Sequence, residues 1–86
     1  MATRAPKQDW RMAAYIEAAM RHAAYKPLAD GSIYGEIPGI QGVYANEITQ
    51  EACERELASV LDGWLQLRLK WQRPIPIVDG IDLAAS

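Results

Sequence analysis

The chain has 86 residues, half of them hydrophobic, and fourteen of those are alanine, so the larger side chains can build only the thin core of one small domain. A formal net charge of -2 and a pI near 5.2 supply no general basic footprint for nucleic acid or acidic lipid. The apolar runs are far shorter than the roughly 20 residues that span a bilayer. Residues 1–8 read as a polar tail, since Arg4 and Lys7 precede no apolar stretch of the signal-peptide kind. Cys53 is the only cysteine, which rules out an internal disulfide and a thiolate-cluster metal site and fits a reducing, cytoplasmic setting.

From Asp9 to about Ala23, Met12, Ala13, Ile16, Ala19, Met20 and Ala23 recur at three- and four-residue spacing and predict a helix over 9–24, with Asp9 as its N-cap. Ala24 to Ala29 and Ser32 to Ile37 then read as two strands joined by a two-residue Asp30-Gly31 turn with both residues at positive φ. Alternation in the second strand sends Ile33, Gly35 and Ile37 to the core and Tyr34 and Glu36 to water. Pro27 cannot donate to a ladder, which places its strand at an edge or ends it. Pro38-Gly39 suits the centre of a type II turn, and Gly42 to Ala45 completes a meander over 25–45.

Thr49 caps the longest predicted element, a helix over 49–71 with Glu51 in its first turn. Cys53, Leu57, Val60, Leu61, Trp64, Leu67 and Trp71 share a broad face that would cover the sheet. Ala58, Leu65 and Leu69 form a second apolar strip that one small sheet cannot bury, so they are the candidates for self-association. Gly63 costs about 1 kcal/mol against alanine, which predicts close approach of another group there. Arg73-Pro74-Ile75-Pro76 stops the helix, Ile77-Val78 would add a fourth strand within 75–79, and residues 81–86 form a tail.

The candidate chemistry is sparse. Glu36, Glu47, Glu51, Glu54 and Asp62 could approach one another, and a two-metal nuclease would need three or four carboxylates converging near shared ions. Their spacing matches a solvated helix start and a strand's polar face equally well, so no metal site is assigned. Cys53 lies on an apolar stripe and reads as a buried thiol, while His22 reads as a cation at a helix C-terminus. Arg68, Lys70, Arg73 and Trp71 make the one basic, aromatic cluster, explained by the preference for cations in a last helical turn. The common phosphate, acyl-transfer and zinc signatures are absent, so neither cofactor nor catalytic residue is expected.

Tyr34-Gly35-Glu36-Ile37-Pro38-Gly39-Ile40-Gln41-Gly42-Val43-Tyr44-Ala45, followed by Thr49-Gln50-Glu51-Ala52 opening a long helix and by Arg73-Pro74-Ile75-Pro76, resembles the HicB family of antitoxins over about Tyr25 to Ile77. The resemblance implies an α+β, partial ribonuclease-H-like domain over 9–80, with an antiparallel three- to four-stranded sheet, one long covering helix and an additional N-terminal helix. It also implies a protein without catalytic activity that binds and occludes a small basic HicA-type mRNA-cleaving toxin and forms a homodimer or higher homo-oligomer. Tyr34, Glu36 and Tyr44 are the candidate partner-binding residues, with Glu36 pairing a toxin cation. The chain after Ile77 is too short for the DNA-binding domain of many HicB proteins, so direct DNA contact is not expected. A metal-dependent nuclease on a ribonuclease-H-like fold, or a structural oligomer with no toxin partner, are the alternatives.

Overall fold

The computed structural model describes the backbone of residues 7–83 and the side chains from Trp10 to Leu83. The protein is α+β: helix α1 (Lys7–Arg21), strands β1 (Ala24–Pro27), β2 (Ile33–Ile37) and β3 (Ile40–Glu47), then helix α2 (Gln50–Lys70). The three strands form one antiparallel sheet in the order β1-β2-β3. No helix among the described residues is long and apolar enough to cross a membrane.

α1 begins two residues before Asp9, which therefore lies in the first turn and is not the cap. Its buried stripe is centred on Tyr15, Ala18 and Ala19, with Met12, Ile16 and Met20 at the margin and Ala13 exposed. Alanine and methionine dominated the expected stripe, yet the largest buried side chain of α1 is Tyr15. A phenol is compatible with that position because its Oη donates to Pro76 O at 2.6 Å.

The β1–β2 connection keeps Asp30-Gly31 but in a different turn. Leu28 N donates to Ser32 O at 2.8 Å and Gly31 N to Leu28 O at 3.0 Å, leaving a three-residue loop in which Gly31 alone has positive φ. The Asp30 carboxylate accepts from both Ser32 N and Ser32 Oγ, and these bonds lower its pKa. Pro38 and Gly39 form the tight β2–β3 turn, with Gly39 at φ 91°, as a type II turn demands. β3 is longer than expected because the irregularity at Gly42, also at φ 91°, is absorbed as a register shift and does not start the strand.

α2 starts as expected: Thr49 is extended, and its Oγ1 accepts from Ala52 N at 3.1 Å. At the other end, Gln72 N donates to Leu69 O and Arg73 N to Arg68 O, with Gln72 itself at φ 56°. That is the Schellman arrangement, here with glutamine in the left-handed position that usually selects glycine.

The buried face of α2 is the row Cys53, Leu57, Leu61 and Leu65. An i, i+4 row drifts by about 40° per step around a helix of 3.6 residues per turn. By its fourth member the row has crossed onto what looked like a second strip. Leu65 is therefore fully buried, while Leu67 and Trp71, expected over the sheet, are half exposed. One cluster joins α2, Ile37, Ile40, Val43 and Ala45 from the sheet, Tyr15 and Ala19 from α1, and Ile75. Gly35 belongs to this interior: an added Cβ would lie 2.9 Å from both Cys53 Sγ and the Tyr25 ring. Gly63, by contrast, is exposed with nothing within 4 Å of such a Cβ, so no close neighbour explains it.

The fourth strand does not form. Residues 73–77 are irregular, since Pro74 and Pro76 have no N–H to give a ladder, and only an isolated Val78–Ile81 bridge follows. Asp79 (φ 49°) and Gly80 (φ 80°) make there the two-residue turn anticipated at Asp30-Gly31. Residues 81–83 are no free tail, because Ile81 and Leu83 pack against the core. Arg11 Nη2 donates to Asp82 O, and Asp79 meets Arg21 at 3.4 Å and His22 at 2.8 Å.

Candidate protein-docking face

With α2 on one side of the sheet, strand alternation leaves two outward rows. Ala24, Glu36 and Tyr44 stand abreast in one; Lys26, Tyr34 and Asn46 in the next. The Tyr34 and Tyr44 rings, diagonal neighbours across β2 and β3, stack at 6.2 Å between centroids and 25° between planes. Tyr34 Oη donates to Glu36 Oε1 at 3.2 Å. The structure thus brings together the three residues singled out for partner binding. Partial desolvation, then the bond to Glu36 and the charge of Glu36, raise the pKa of Tyr34, so the phenol stays protonated and donating at neutral pH.

Beside this trio lies an open depression of about 440 Å³ lined by Ala24, Tyr25, Lys26, Leu28, Tyr34 and Glu36. Lys26 and Leu28 were not among the expected site residues, although the same alternation that exposes Tyr34 points to Lys26 as its cross-strand neighbour. Asn46 ties the far end of the face together, its Nδ2 donating to Ser32 Oγ and Ile33 O, both at 2.9 Å. Tyr44 remains 59% exposed. Two aromatic faces around an exposed carboxylate offer a cation both a π surface and a charge partner.

The other candidates are placed differently. Ala58 is half buried, Leu65 is inside the core and Leu69 is 40% exposed, so they do not form one open strip for self-association. The second surface their pattern called for is supplied within the chain, where α1 packs against α2 and Ile75 joins the core. Cys53 is fully buried, its Sγ donating to Ala45 O at 3.6 Å; burial, with the charge of Glu47, raises its pKa and keeps it an inert thiol. His22 is held by Asp79. Among the described residues no group of three or more His, Cys, Asp or Glu side chains is placed to hold a metal ion. In the basic cluster, Arg68 lies 4.4 Å over the Trp64 ring and donates to Pro74 O at 3.0 Å, a contact that closes the end of α2.

Comparison with curated proteins gives no match. Among solved structures, the chain is similar to TTHA0281 from Thermus thermophilus, with a TM-score of 0.79 and 33% identity over 84% of this chain and 90% of that one. A family model described as UPF0150-like matches residues 14–76, from the middle of α1 to Pro76. The chain belongs to the UPF0150-like family.

Proposed function

We propose that this protein is a HicB-like antitoxin that docks onto a small basic HicA-type mRNA-cleaving toxin and occludes it, with no catalysis of its own. The observation that carries the reading is the uncovered face where Glu36 lies against Tyr34 and beside Tyr44. A lysine or arginine of the toxin would pair with the Glu36 carboxylate and lie against the Tyr44 ring, while Leu28 and the stem of Lys26 meet apolar atoms beside it. Membership of the UPF0150-like family and the HicB resemblance of the meander and α2 support this reading. The acidic balance of the chain, net -2, suits a basic partner. The fold would then act as a partial ribonuclease-H-like unit used for docking.

The test is co-expression with a small basic protein encoded beside it, followed by affinity purification through a tag on this chain. The two are expected to elute together and growth arrest by the basic protein alone to be relieved. Glu36→Lys should abolish both effects without changing the circular dichroism spectrum; co-elution undiminished by that substitution would overturn the contact. Magnesium-dependent RNA cleavage by the pure chain, lost in Glu36→Gln, would replace this reading by a nuclease.

A further inference from the structure

α2 carries two apolar patterns that part company partway along it. Cys53, Leu57, Val60, Trp64, Leu67 and Trp71 are spaced alternately four and three residues apart, the heptad seam by which one helix packs along another. The sheet does not follow that seam, because the buried row passes through Cys53 and Leu57 and then turns aside to Leu61 and Leu65. Burial along the seam falls accordingly. Val60 and Trp64 are half-buried, Leu67 is 49% exposed, and Trp71, at the C-cap, is 59% exposed.

Two further features lie on this open half. Gly63, one residue before Trp64 on the seam's flank, is exposed, and a Cβ there would meet nothing within 4 Å, so packing inside the monomer does not account for a glycine in mid-helix. On the flank of a seam, a glycine lets a second helix backbone come close. Charge is also one-sided here. Between Asp62 and Asp79 the chain carries Arg68, Lys70 and Arg73 and no carboxylate, although it is acidic as a whole. Lys70 flanks the seam on the Gly63 side and Arg68 on the other, at the positions where paired helices exchange charges.

We infer that the C-terminal half of this seam, from Trp64 to Trp71, docks an acidic amphipathic helix of another protein. That helix lays aliphatic side chains between Trp64, Leu67 and Trp71, passes close over Gly63, and sets carboxylates against Lys70 and Arg68. A second copy of this chain is a poor occupant, since flanks that carry only cations would repel each other. Nucleic acid fits less well, because Arg68 lies 4.4 Å over the Trp64 ring and donates to Pro74 O, which leaves Lys70 and Arg73 for phosphates. Glu36 stands on the sheet face turned away from α2, so this contact and the toxin contact can form together. About two helical turns make a small interface, and binding is therefore weak and reversible.

The probe is a synthetic three-heptad peptide with leucine at both seam positions and glutamate on both flanks, which repels itself at neutral pH. Calorimetric titration into the pure chain is expected to show saturable binding that added salt weakens, and none for the same peptide with lysine flanks. Leu67→Ser should weaken binding about tenfold and Lys70→Glu about threefold, both with unchanged circular dichroism spectra. Gly63→Ala should raise the thermal midpoint of the chain alone yet weaken the peptide complex, a split that a purely structural glycine would not give. No saturable binding, equal binding of the lysine-flanked peptide, indifference to Leu67→Ser, or displacement of the peptide by oligouridylate would overturn the docking site whatever Glu36 does. A dimer of the pure chain dissolved by Leu67→Ser in sedimentation equilibrium would give the seam to a second copy and overturn it as well.

Discussion

The strip of α2 that carries Leu65 and the outer face of the sheet that carries Tyr44 both start as apolar surface beyond what a helix on a small sheet consumes, and the chain treats them in opposite ways. The first is closed internally: Leu65 is fully buried in a cluster that includes Tyr15, Ala19 and Ile75. The second stays open, with tyrosines whose hydroxyls and a neighbouring carboxylate keep it wettable. A surplus of apolar residues thus does not by itself locate a docking surface. The informative residues are the amphipathic ones left outside, because aromatic rings with polar tips tolerate water and still bury area when a partner arrives.

The largest test of this contrast is truncation on both surfaces. Leu65→Ala is expected to cost about 2–5 kcal/mol, read as the loss of stability in urea unfolding, because it opens a cavity in a packed core. Tyr44→Ala should cost well under half of that while weakening partner capture. Equal losses at the two sites would erase the distinction. Gly35→Ala probes the inner side of the same strand that turns Tyr34 and Glu36 outward. A Cβ meeting Cys53 and Tyr25 at 2.9 Å should destabilise by about 1–3 kcal/mol.

Gly63→Ala sharpens the comparison from the solvent side of α2. An added Cβ meets open space, so the helix should gain up to about 1 kcal/mol, visible as a higher thermal midpoint. A loss there would reveal an approaching group from outside the monomer. The smallest effect concerns Asp79, which helps tie the C-terminal segment to α1. The bond from His22, then its charge and the contacts of Arg21, lower the pKa of Asp79. A carboxyl with a depressed folded pKa contributes stability above its ordinary value, near 3.9, and loses it as pH falls through the folded value. Asp79→Asn should therefore flatten a small part of the fall in thermal midpoint below about pH 4. Asp30 titrates in the same window and is common to both proteins.

Much of this was legible where local chemistry decides. Thr49 before Gln50-Glu51-Ala52, Pro38-Gly39 between two apolar strands and the alternation Ile33 to Ile37 depend on bonds within a few residues, and each appears as read. The grouping of Tyr34, Glu36 and Tyr44 followed from alternation with a tight turn, because register brings Glu36 and Tyr44 abreast. Other features depended on distant partners. Leu65 is core because the buried row drifts around α2 and because other parts of the chain wait on that side. Tyr15 is buried because Pro76, far along the chain, accepts its hydroxyl. The two Asp-Gly pairs show the limit most plainly. The same dipeptide makes a three-residue loop at Asp30-Gly31, where β1 and β2 set the register, and a two-residue turn at Asp79-Gly80, where only a single bridge follows.

The ties between α1 and the stretch after α2 set an order of assembly. Tyr15 meets Pro76 across 61 residues of sequence and Arg11 meets Asp82 across 71, so during synthesis α1 lacks these anchors until Pro76 and Asp82 have left the ribosome. The meander and α2 hold their own short-range contacts and can consolidate earlier, leaving α1 to dock last. During that interval the side of the core that Tyr15 and Ala19 complete would lie uncovered, and a nascent copy would be most prone to capture by chaperones or by its neighbours on the same messenger.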